Sequence, residues 1–198
     1  MDNKIIFSLY DTSLSLIFGL LTIYIALRVI DKLVLRENTL KMVKEGNASI
    51  AIFKGVLIIC TLLLAHNSVT SSSAALQTMV FNYGGKLTGK IFMISFGYFL
   101  LFYVISLVFS VLIILISFYV YIKATVDLDE IAEIKKNNIA VSISLSLVIF
   151  GMILFVRPSF DNLMKSFINY DAFSDKQINV EKKNEKGSIK PGKDPNIR

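Results

Sequence analysis

The sequence predicts an all-α, polytopic membrane protein whose four transmembrane helices form two parallel helical hairpins. Three observations lead there. Hydrophobic residues make up 54% of the 198-residue chain and charged residues 18%, where a soluble domain carries about a quarter. The missing charge is concentrated, so that four stretches long enough to cross a bilayer hold almost none. A short pattern of basic and asparagine residues also recurs at an offset of 91 residues.

The first span covers Ile5 to Ile30, with Asp11 near its outer end. Its apolar run is too long for a cleaved signal peptide, and no small-x-small site follows it. The first linker offers a short helix from near Asn38 or Thr39, with Leu40 and Val43 as its apolar positions. The second span, Ala48 to Ala65, is broken only by Lys54. A weakly amphipathic stretch with Leu76, Met79 and Val80 then runs from Val69 to Tyr83. The third span, Ile91 to Ile122, would be roughly 48 Å long as a helix. It must tilt strongly, or project and pack on something beyond the roughly 30 Å hydrocarbon layer.

In the second linker, Asp127 and Glu130 at a three-residue spacing predict a capped helix start. Leu128, Ile131 and Ile134 share one face of that helix. The fourth span is Ile139 to Val156. After Pro158, the i, i+3, i+4, i+7, i+8 series Phe160, Leu163, Met164, Phe167 and Ile168 predicts an amphipathic helix in the membrane interface. From Ser174 to Arg198 the apolar pattern is lost, and disorder is expected. The organisation is therefore a transmembrane domain over 1–173 and a basic tail over 174–198. The first repeat occupies 1–83 and the second 91–173.

The repeat rests on Lys44 over Lys135, Asn47 over Asn138, His66 over Arg157 and Lys32 over Lys123. Matching spans cross in the same direction, which makes the repeat parallel. The elements VKEGNASIAI and IKKNNIAVSI resemble the bacterial inner-membrane proteins of domain-of-unknown-function family 350. Hairpins of that family carry a similar Lys-x-Asn-Asn-Ala-Ala lead-in to an apolar helix. Gly46 stands where the family favours Asn, and Ile139 where it favours Ala. The resemblance implies a small multi-pass protein of the bacterial inner membrane and no reaction. A weaker similarity, in size, span count and Lys/Asn/Ile-rich composition, is to the membrane subunit of the Kiwa anti-phage system.

Basic residues near the spans favour the two linkers, through Lys32, Arg36, Lys41, Lys44, Lys123, Lys135 and Lys136. The positive-inside rule then makes the linkers cytoplasmic and both termini external. Counting the seven basic residues of the tail would reverse that orientation.

The chain has one His, one Cys and no Trp, too small a stock for a His/Cys metal cluster or a disulfide within one chain. Gly84-Gly85-Lys86-Leu87-Thr88-Gly89-Lys90 imitates a phosphate loop, but Ile91 stands where Ser or Thr is needed. No catalytic, cofactor or metal residues are predicted, no direct nucleic-acid binding is expected, and the protein is not read as an enzyme. Lys54 is open to two readings: snorkelling or helix packing, or a pore-lining or ion-pair role. The small residues Ser142, Ser144 and Ser146 of the fourth span, with Ala48, Ala51 and Gly55 of the second, predict close helix approach. The functional expectation is a non-enzymatic scaffold or sensor in the lipid bilayer. It would form a homo-oligomer, a tetramer before a dimer, and dock a cytosolic protein through Asp127, Asp129, Glu130, Glu133, Lys41 and Lys44. Anti-phage defence or envelope stress would be its setting. The alternative is an oligomeric ion channel or membrane-depolarising effector that uses Lys54, Ser142 and Ser146.

Overall fold

The structure, a computed structural model, describes residues 3–35, 39–82, 88–125 and 128–167. The tail from Ser174, Asp127 and most of the phosphate-loop imitation lie outside the described residues. Four long helices carry the fold: α1 (Asn3–Ile30), α3 (Ala48–Asn82), α4 (Gly89–Ala124) and α6 (Ile139–Ser166). All four are long and apolar enough to cross a membrane. Two short helices sit in the linkers, α2 (Leu40–Lys44) and α5 (Glu130–Lys135). A single widened π-helical turn, Asp31–Leu35, closes α1. The described residues contain no strand. This is a multi-pass helical membrane protein.

Helix α3 is the centre of the bundle and packs against α1, α4 and α6. Its buried series Ile50, Phe53, Leu57, Cys60 and Leu64 recurs every three or four residues, so one apolar stripe faces the neighbours. Helix α6 answers with Ser142, Leu145, Ile149 and Ile153, and α4 with Phe99, Phe102, Ser106 and Ser110. The opposite faces are apolar and bare: Leu16 and Leu20 on α1, Val104 and Leu112 on α4, Leu147 and Phe155 on α6. Lipid is the solvent that such faces require.

Three expectations are corrected. The second span does not stop near His66; α3 continues without a break to Asn82, with Leu76, Met79 and Val80 buried rather than spread on an interface. The overlong third span therefore meets a partner of nearly equal length, 35 residues against 36, and the two pack against each other. Helix α6 likewise passes through Pro158. The proline removes one backbone donor, but Phe160 and Met164 are buried on the bundle, with the Phe160 ring 5.1 Å from that of Phe109. That packing keeps the segment on the α6 axis. Finally, Ala51 is exposed and a side chain at Gly55 would meet nothing within 4 Å. The close approach of α3 and α6 is made instead at Ser49 and Ser142, where Ser142 Oγ donates to Ser49 O at 2.7 Å.

Candidate functional site at the linker end

The two copies of the repeated element fold alike in their backbone bonds. At the end of α2 the N–H groups of Glu45, Gly46 and Asn47 donate to the carbonyls of Lys41, Val43 and Met42. At the end of α5 those of Lys136, Asn137 and Asn138 donate to Ala132, Ile134 and Glu133, each 91 residues further on. The crossed pair of bonds is a Schellman cap, which needs a left-handed residue. Gly46 (φ 90°) and Asn137 (φ 68°) supply it, one in each copy. The next residue caps the following long helix: Asn47 Oδ1 accepts from Ile50 N at 2.9 Å, and Asn138 Oδ1 from Val141 N at 3.4 Å.

The copies are also bonded to each other. Asn47 Nδ2 donates to the carbonyls of Lys135 (2.8 Å) and Ile134 (3.3 Å). Ser49 N donates to Asn137 Oδ1 at 3.0 Å, and Ser49 Oγ to Asn138 O at 2.9 Å. Both linkers thus form one hydrogen-bonded plate at the ends of α3 and α6.

Beneath the plate, Lys54 is turned inward. Its Nζ donates to Asp31 Oδ1 at 2.6 Å and to Thr39 Oγ1 at 2.8 Å, while Thr39 Oγ1 donates to the same Asp31 oxygen at 2.6 Å. The Lys54 side chain is 5% exposed and that of Asp31 20%. The widened turn after Ile30 carries this carboxylate, and Thr39 precedes α2, so the triad ties α1 and the first linker to α3. In the second copy Leu145 takes the place of Lys54, and Glu130 that of Thr39. Glu130 is buried and accepts from the Thr125 hydroxyl.

Of the residues expected to dock a partner, Lys41 and Lys44 are exposed, Lys41 lying 3.9 Å from Glu45. Asp129 is exposed and is the cap of α5, its Oδ1 accepting from Ala132 N at 3.0 Å. The helix therefore starts two residues later than the Asp127–Glu130 spacing suggests. Glu133 accepts from Asn138 Nδ2 (2.9 Å) and pairs with Lys136 (3.0 Å). These donors hold its carboxyl below the ordinary value of 4.5. Glu130, expected among the outward charges, faces the interior at 1% exposure. Its place just after the α5 cap turns it under the plate. Ser142 and Ser146 are both buried within the bundle. Sequence reasoning missed Asp31, Thr39, Ser49 and Asn137. For Asn137 a signal existed, since it lies over Gly46 in the repeat.

The opposite end has its own polar contacts. Tyr10 OH lies 3.0 Å from Ser72 Oγ and 3.2 Å from Ser95 Oγ, joining α1, α3 and α4. Ser73 donates to Asp11 Oδ2 at 3.1 Å, and Arg157 Nε to Asn67 Oδ1 at 3.4 Å. A cavity of about 280 Å³ between α1, α3 and α4 is lined in part by Thr22, His66, Ser68 and Tyr103. A second, of about 330 Å³ and almost wholly apolar, lies between α1 and α4 along Ile25, Val29, Leu107 and Leu112.

Four membrane-length helices, paired linkers and a duplicated cap define the class: a multi-pass membrane protein built from two hairpins. Residues 93–171 match the model of the family described as Domain of Unknown Function (DUF350). The matched stretch takes in most of α4, the second linker with α5, and α6. The resemblance to family 350 holds over this second hairpin. No curated protein and no solved structure matches the chain.

Proposed function

We propose that the protein is a non-enzymatic membrane scaffold or sensor, that it works as a homo-oligomer, and that it docks a cytosolic protein on its linker face, in a setting of anti-phage defence or envelope stress. One observation carries the docking reading. The two linkers are fixed to each other by the Asn47 and Ser49 bonds, and the charges exposed on them include Lys41, Lys44, Glu45, Asp129 and Lys136. A rigid plate with exposed charges of both signs favours recognition of a protein surface, because its groups are ordered before the partner arrives. The channel alternative draws mainly on Lys54, and that ammonium is engaged by Asp31.

The docking surface is tested by in-cell crosslinking followed by purification from the membrane. Lys41→Glu with Lys44→Glu, and separately Asp129→Asn, are expected to lose the crosslinked partner at unchanged protein level. An unchanged set of partners for both variants would overturn the reading. Glu130 is left out of this experiment because it is buried, so replacing it disturbs the fold. Orientation is tested by fusion: a reporter after Asp129 is expected to read cytoplasmic and one after Arg198 external. A cytoplasmic signal from the Arg198 fusion would move the docking face to the other side.

A further inference from the structure

We propose that the cleft between α1 and α4 at the linker end binds one anionic phospholipid, with an acyl chain in the apolar cavity and the phosphate on Lys32 and Lys123. Helices α1 and α4 run in the same direction. Their described ring contacts and hydrogen bonds lie towards the opposite end: Tyr10 with Phe92, Phe18 with Phe96 and Phe99, and Thr22 with Tyr103. Past Thr22 the two helices border the cavity of about 330 Å³. Its lining includes Ala26, Ile30, Val34 and Ile114, each at most 6% exposed. The cleft therefore reaches behind the bare outer face and into the core. Thr61 of α3 also lines it, but its hydroxyl donates to Leu57 O at 3.0 Å and leaves no unpaired donor there. An unfilled apolar void forfeits dispersion contacts that a hydrocarbon chain restores.

The length of the cleft fits one leaflet. The lining runs from Ile25 to Val34 on α1 and from Leu107 to Leu115 on α4, about 12–14 Å along the helix axes. That is close to half of a hydrocarbon layer about 30 Å thick. It is the half next to the linkers, because α1 and α4 both end there.

Charge identifies the headgroup. Lys32 follows Ile25 by seven residues and Val29 by three, and Tyr119 follows Leu112 by seven and Leu115 by four. At helical spacing each wall of the cleft thus continues towards the linkers into one of these side chains. Lys123 stands one turn beyond Tyr119, its Nζ 5.8 Å from the ring centroid. Both lysines are exposed, and among the described residues neither forms an ion pair. The neighbouring carboxylate, Asp31, is engaged by Lys54. Lys32 and Lys123 are 91 residues apart, so the duplication itself brings two equivalent cations to one cleft. Two cations above an apolar slot complement a phosphodiester and its chain. With no free carboxylate beside them, they favour an anionic headgroup over one that carries a cation of its own. This site is independent of the linker partner and of the oligomeric state.

The test places the full chain in phosphatidylcholine bilayer discs with a trace of phosphatidylglycerol that carries a photoreactive diazirine in one acyl chain. Adducts are mapped by peptide mass spectrometry after irradiation. They are expected to concentrate on residues 25–34 and 107–115, above the level on the bare faces at Leu16, Leu147 and Phe155. A phosphatidylcholine probe with the same chain is expected to show no such concentration. Lys32→Gln with Lys123→Gln is expected to lower the enrichment about tenfold, and Lys41→Gln with Lys44→Gln, an equal loss of charge on the linker plate, to leave it unchanged. Val111→Phe, which fills the cavity from its half-buried wall, is expected to displace the probe with both lysines intact. Even labelling of all bare faces would mean bulk lipid alone and would overturn the proposal. So would equal concentration of the two probes, or an enrichment that survives the Lys32 and Lys123 changes. Absence of adducts from the cleft would mean that protein covers it, and would overturn the proposal equally.

Discussion

Replacing Lys54 by Leu is expected to destabilise the protein by about 3 kcal/mol, and replacing Asp31 by Asn in the same chain to restore most of the loss. Removing one partner of a buried ion pair leaves the other charge without compensation, at a cost of about 3–5 kcal/mol. The lower end applies because Asp31 keeps 20% exposure. From composition alone the substitution looks mild, since it removes a cation from a span. The geometry reverses that expectation: Nζ lies 2.6 Å from a carboxylate whose side chain is only 20% exposed and which would lose this cation. In Asp31→Asn/Lys54→Leu the amide still accepts from Thr39, and no charge is left behind. Leu145, fully buried at the matching place of the second copy, shows that the fold accommodates an apolar residue there. Thermal unfolding of the purified protein in detergent is the measurement, with the four members of the cycle compared. A fall of about 6–12 °C is expected for Lys54→Leu. If Asp31→Asn does not relieve the effect, the pair is not what Lys54 provides, and lost packing of its alkyl stem takes its place.

The four spans were legible because lipid imposes its demand on every residue of a crossing helix, so the apolar run is long and unambiguous. The duplicated Lys-x-x-Asn element was legible for a different reason: the left-handed turn and the cap constrain residue type at fixed spacing, and Gly46 and Asn137 are the residue types that accept a positive φ. The extension of α3 past His66 was not legible. Its polar run, Asn67 to Ser73, has the composition of a loop or surface, and packing against α1, α4 and α6 makes it a buried helix. Lys54 shows the same limit at the level of one side chain. Sequence placed it on a span, but its partner Asp31 is 23 residues away and is presented by a widened turn that no local pattern announces. For Glu130 charge alone suggests exposure, whereas its hydroxyl partner Thr125, at the end of α4, holds it in the interior.

The asparagines at the head of α3 and α6 occupy equivalent positions, yet they are expected to differ in weight. Asn47→Ala removes the cap bond to Ile50 N and the two bonds that Nδ2 makes to the carbonyls of Ile134 and Lys135. A lost cap costs about 1 kcal/mol, and a lost hydrogen bond about the same, so a total near 2–3 kcal/mol is expected. Asn138→Ala removes a longer cap bond, 3.4 Å, and one bond to Glu133, which keeps Lys136 as a donor. Its expected cost is about 1–2 kcal/mol. The difference arises because, of the two capping asparagines, Asn47 reaches the other repeat with its side chain, whereas Asn138 does so with its backbone carbonyl, which accepts from Ser49 Oγ and which alanine retains. Paired thermal unfolding curves of the two variants measure the order. Crosslinking of the docked partner in the same variants extends the comparison to function: a plate that has lost the Asn47 bonds is no longer preorganised, so Asn47→Ala is expected to weaken capture more than Asn138→Ala. An Asn138→Ala variant that is as unstable as Asn47→Ala, or more so, would mean that the link between the repeats is not carried by the Asn47 side chain.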